Sequence, residues 1–64
     1  MIRIVDEDNP ARSVVVSRAP VENRDVRIDL RQLLDAPTNY MNLSKQKVRE
    51  LITALERMIE DEDN

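Results

Sequence analysis

The chain has 64 residues, 10 basic and 13 acidic, for a formal net charge of −3, and it contains no cysteine, histidine or glycine. One small domain spanning residues 1–64 is expected, without a disulfide, a thiolate metal site, an imidazole base or a glycine-rich phosphate loop. A domain this small buries only about 60% of its unfolded surface. With disulfides excluded, the staple left to it is oligomerisation or a bound partner.

Residues 2–6, IRIVD, alternate with period two and are rich in β-branched side chains, which predicts a strand with Ile2 and Ile4 on one face and Arg3 and Val5 on the other. Asp6-Glu7-Asp8-Asn9 and Pro10 follow as a turn signal. A second strand is expected over 12–18, RSVVVSR, with Arg12, Val14, Val16 and Arg18 on one face and Ser13, Val15 and Ser17 on the other. The two would form a hairpin through a loop of about five residues. Pro20 ends the second strand, and 21–24 reads as a loop. Without glycine, each turn must draw on Asn, Asp or Pro.

Residues 25–31, DVRIDLR, give the cleanest alternation: Val26, Ile28 and Leu30 inward, Arg27, Asp29 and Arg31 outward. Beyond it the pattern is ambiguous, because Leu30, Leu33 and Leu34 also fit a helical turn capped by Asp29. The expectation over 30–36 is a strand passing into a short helical turn that ends before Pro37. Residues 38–39 read as loop, and 40–43 as an extended segment that can form a short fourth strand.

The last element is a helix over about 45–60. Ser44 is placed to cap it, and Leu43 and Val48 occupy the two positions of a hydrophobic staple. Val48, Leu51, Ile52, Leu55, Met58 and Ile59 follow the 3–4 spacing of an amphipathic helix, in an arc about 120° wide. That stripe is expected to cover the inner face of the sheet, and 61–64 to form a frayed acidic tail. The fold class is thus α+β: a small antiparallel sheet of three or four strands packed on one C-terminal helix. A few strands closed by a helix reading LSKQKVRELITALERMI resemble, in general style, many small bacterial and phage proteins. The resemblance implies a phage or mobile-element origin, and it carries over no functional residue.

The longest apolar run, Val14-Val15-Val16, is far shorter than the ~20 residues of a membrane span or the ~7–15 of a signal-peptide core. No membrane contact and a cytoplasmic location are expected, and the lack of cysteine fits a reducing compartment. A pI near 4.8 argues against general nucleic-acid binding. Tyr40 is the sole aromatic side chain, so stacking on single strands has no platform.

Chemistry is the weakest class. No serine sits in a nucleophile-elbow context, and so short a chain has little room for an enclosed pocket. The expectation is no enzyme, with no catalytic, metal or cofactor residues. The tetrapeptide DEDN occurs twice, at 6–9 and 61–64, yet it lacks the sharp glycine turn of a calcium loop and reads as two solvated ends. An acidic DNA mimic would need a broad acidic face, which ten basic residues interrupt. Direct DNA binding would use Arg12, Arg18, Arg27 and Arg31, since a strand can enter the major groove, but Asp25 and Asp29 break that surface.

Protein binding is the class left standing, with a homodimer expected. Lys45, Arg49, Glu56 and Glu60 fall on one helix flank with palindromic spacing centred beside Ile52. An antiparallel two-fold contact would set Lys45 against Glu60 and Arg49 against Glu56 of the partner. One helix can cover one sheet face only, so Val5 and Val15 are candidates for a second interface. Tyr40 and Met41 are candidate anchors or core residues. The reading is a small non-enzymatic protein-binding or regulatory accessory protein, with a DNA-associated transcriptional regulator or antitoxin-like protein as alternative.

Overall fold

The computed structural model describes residues 1–32 and 39–62. It is an α+β fold: four strands, β1 (Ile2–Val5), β2 (Ser13–Arg18), β3 (Val26–Arg31) and β4 (Asn39–Leu43), followed by one helix, α1 (Lys45–Glu62). The sheet is antiparallel with spatial order β1-β2-β3-β4, so each strand pairs with its sequence neighbours. The alternation of β-branched residues locates β1, β2 and β3 to within a residue, and the extended segment expected over 40–43 is the fourth strand. The helix runs two residues past its expected end, with Asp61 and Glu62 still helical; no glycine or proline interrupts it there. Leu30 and Arg31 are strand, and the helical turn expected further along falls on 33–38, outside the described residues.

Register sorts the side chains cleanly. Ile2 pairs with Val16, Ile4 with Val14, Val16 with Ile28, Val14 with Leu30, Val26 with Leu43 and Ile28 with Met41. Because side chains alternate across a strand, all of these share one face. The opposite face carries Arg3, Val5, Ser13, Val15, Ser17, Arg27, Asp29, Arg31, Tyr40 and Asn42. One face is therefore almost wholly apolar, and the other is polar around a single central valine.

The turns use the residues a glycine-free chain must use. The Asp8 amide donates to Asp6 Oδ1 at 2.8 Å and the Ala11 amide to Asn9 Oδ1 at 3.1 Å, two Asx turns within the first hairpin loop. The Arg12 amide donates to Asn9 O at 2.9 Å, closing a turn with Pro10 second, where its fixed φ is suited. At the β2–β3 turn the Arg24 amide reaches Val21 O at 3.3 Å, and Asn23 takes the left-handed φ of 65°. Asn tolerates that region better than other non-glycine residues.

Helix α1 starts one residue after β4 ends. The Val48 amide closes the first turn on Ser44 O at 3.0 Å, and the Lys47 amide approaches Ser44 Oγ at 3.5 Å, the outer limit of a hydrogen bond. A second acceptor comes from the β2–β3 turn: Asp25 Oδ2 takes the Lys45 amide at 3.0 Å. The first turn of α1 has no acidic residue of its own, so Asp25 supplies the negative charge that a helix N-terminus favours.

The helix packs on the sheet only through that first turn, beside β4. Leu43 and Val48 are half-buried, as a staple requires. Beyond Val48 the apolar stripe does not lie on the sheet, contrary to the expectation: Leu55 is 55% exposed and Met58 67%. The cause is the connection. Ser44 alone separates β4 from α1, shorter than the about 2–6 residues of an ordinary strand-to-helix connection, so it leaves little chain for climbing onto the sheet and reversing direction.

The chain accordingly has little core of its own. Among the described residues Val15 is the one fully buried apolar residue. A compact monomer of this mass exposes about 4,250 Å², whereas this chain exposes 5767 Å². Its radius of gyration is 13.4 Å, against about 11 Å for a compact chain of this length.

Candidate protein-interaction surface

One sheet face presents a broad run of apolar side chains. Strands β1 to β4 place Ile2, Ile4, Val14, Val16, Ile28, Leu30 and Met41 on it, and Ile2 at 63% and Met41 at 57% exposure show how open it is. Scattered single apolar residues on a surface are ordinary, but a contiguous sheet face of them marks an interaction site. Arg12 and Arg18 share the parity of this face and flank it at the two ends of β2, both exposed. An open concavity of about 390 Å³ lies at its β1–β2 hairpin end, between Ile4, Val14, Leu30, Asp6 and Arg12.

On the polar face several side chains engage one another. The Arg27 guanidinium lies over the Tyr40 ring at 4.1 Å from the centroid, and Arg27 Nε donates to Asn42 Oδ1 at 2.9 Å. Arg31 Nη2 sits 3.7 Å from Asp29 Oδ2. Asp29 is 7% exposed and Val15 0%, cross-strand neighbours in the register. Long arginine stems can cover small residues while the charged heads stay wet, and Arg3, Arg27 and Arg31 surround this pair.

That arrangement corrects the expectation for Val15. It is not an exposed interface residue but the centre of the small core on the polar face; Val5, on the same face at the β1 edge, stays 48% exposed. The sequence could not show this, because period-two alternation assigns Val15 to a face without saying which face is covered. The four arginines considered for DNA are also divided: Arg12 and Arg18 edge the apolar face, while Arg27 and Arg31 lie on the polar face, each engaged with neighbours. Tyr40 and Met41 point to opposite faces, Tyr40 beneath Arg27 and Met41 on the open apolar side.

On α1, the flank residues Lys45, Arg49, Glu56 and Glu60 are exposed, as is Ile52 beside them. The nearby Lys47–Glu50 pair, at 3.0 Å, lies on the other side of the helix. The first DEDN is now explained: Asp6 and Asn9 are turn-building side chains. Among the described residues no three acidic side chains gather closely enough to hold a metal ion, and no helix is long and apolar enough to cross a membrane.

No family model matches the chain, and comparisons with curated proteins and with solved structures found no match. The geometry of the surface is what there is to argue from.

Proposed function

We propose that this is a small non-enzymatic accessory or regulatory protein of the cytoplasm that acts by binding protein through its apolar sheet face. The observation that carries the reading is the asymmetry of the sheet: one face is polar with Val15 buried at its centre, the other largely apolar with Ile2, Ile4, Leu30 and Met41 more than half exposed. Burying apolar surface contributes about 25 cal/mol per Å², so such a face holds enough free energy to drive association. A phage or mobile-element origin fits the size and style of the chain.

A double variant, Ile4→Lys with Met41→Lys, tests it. Both residues are more than half exposed, so the variant keeps the fold, which far-UV circular dichroism checks. Tagged wild type expressed in host cells should retain specific protein partners, untagged copies of itself included, and the folded variant should lose them. A folded variant that retains every partner refutes the assignment to this face. A salt-sensitive shift with duplex DNA would favour a DNA-associated regulator instead.

A further inference from the structure

We infer that the occupant of the apolar face is α1 of a second copy, so that two chains exchange helices, each helix lying on the other's sheet. The inference rests on the protein-binding reading and names its partner.

Three observations converge. First, the chain carries two open apolar surfaces of complementary kind, the sheet face and the helix stripe, and beyond the Leu43–Val48 staple the stripe stays exposed, from Leu51 to Ile59. Second, they match in size. From Val48 to Ile59 a helix rises about 17 Å, and four strands at about 4.8 Å spacing are about 14 Å across. Third, the junction forbids self-closure. Only Ser44 separates β4 from α1, and Asp25 fixes the first turn at 3.0 Å from the Lys45 amide. Short connections of this kind favour exchange of an element between copies over folding back.

The area suffices. The surplus over a compact monomer, 5767 Å² against about 4,250 Å², is about 1,500 Å² per chain, more than the about 800 Å² per partner that a stable interface takes. The alternatives cover less. A helix-to-helix pair through the Lys45–Glu60 flank leaves both sheet faces in water, and a sheet-to-sheet pair leaves both helix stripes there. Exchange covers all four surfaces with one two-fold axis.

The test is sedimentation equilibrium on the wild-type chain, followed by filtered nuclear Overhauser spectroscopy on an equal mixture of ¹³C-labelled and unlabelled protein. Expected are a mass twice the 7.5 kDa of the chain, and intermolecular contacts from Leu55 and Ile59 methyls to Val14, Ile28 and Met41. A dimer showing only helix-to-helix or only sheet-to-sheet contacts overturns the exchange and leaves the protein-binding reading intact. A monomer with both surfaces open does the same, pointing to a different partner. A monomer whose own helix contacts its own sheet overturns the inference and the underlying reading together, because no apolar surface would remain.

Discussion

Removal of the Asp25 carboxylate should loosen the helix more than removal of the serine that caps it in sequence. Asp25 Oδ2 accepts the Lys45 amide at 3.0 Å, whereas Ser44 Oγ stands 3.5 Å from the Lys47 amide. Losing a capping acceptor costs about 1 kcal/mol, and losing a negative charge beside a helix N-terminus about 0.3–1 kcal/mol. Asp25→Ala removes both and should cost about 1.5 kcal/mol, while Asp25→Asn keeps an acceptor and should cost about 0.5 kcal/mol. In a domain of this size 1 kcal/mol moves the midpoint by about 4–8 °C. The alanine variant should therefore melt about 6–12 °C lower and the asparagine variant about 2–4 °C lower. Ser44→Ala should fall between wild type and Asp25→Ala. The assay is thermal unfolding by far-UV circular dichroism at one fixed protein concentration, since association shifts the midpoint. Repeating it at 1 M salt should narrow the gap between asparagine variant and wild type, because the charge contribution is screened. Coincident melting of wild type, Asp25→Asn and Asp25→Ala would refute the assignment of Asp25 as the cap.

Val15→Ala should cost about 2 kcal/mol, from two buried methylene equivalents and the cavity they leave, and Val5→Ala, at a residue 48% exposed, less than half as much. Urea titrations with equal slopes would measure both, and equal losses would contradict the placement of the core on the polar face. At the β2–β3 turn, Asn23→Gly should leave stability within a few tenths of a kcal/mol and Asn23→Val should cost at least about 1 kcal/mol, because Asn23 holds a φ of 65°. Millimolar calcium should leave the melting midpoint unchanged, since Asp6 and Asn9 are committed to backbone amides at 2.8 and 3.1 Å. A concentration-dependent rise would mean that the loop binds the ion.

The strands were legible because alternation and β-branching are local properties, and RIDLR or RSVVVSR can hardly be read otherwise. The helix was legible for the same reason: its stripe and Leu43–Ser44–Val48 start lie within one segment. What composition could not convey was how segments meet. Whether a stripe covers its own sheet depends on the length of the connection between them, and Ser44 alone is too short. Whether Val15 is buried depends on what covers a face that its polar neighbours Ser13, Ser17, Arg27, Asp29 and Arg31 mark as solvent-facing. The Asp25 cap joins positions 25 and 45, a pairing that no local motif announces. Over 30–36, two periodicities compete in the same leucines, and a single sequence holds nothing that breaks the tie beyond Arg31.

The order β1-β2-β3-β4 has a consequence for how the protein comes into being. Each strand pairs only with the one made just before or after it, so the sheet can assemble hairpin by hairpin as the chain leaves the ribosome. Contacts of such low sequence separation form quickly, with little loop-closure entropy to overcome. The helix is synthesised after all four strands, and being held away from the sheet it cannot shield what has already formed. The nascent sheet thus shows its apolar side to water from the moment β2 meets β3. During that interval its neighbours are ribosomes, chaperones and other copies from the same message. Abundance and the pace of translation should therefore govern the yield of native protein more strongly than the intrinsic folding rate does.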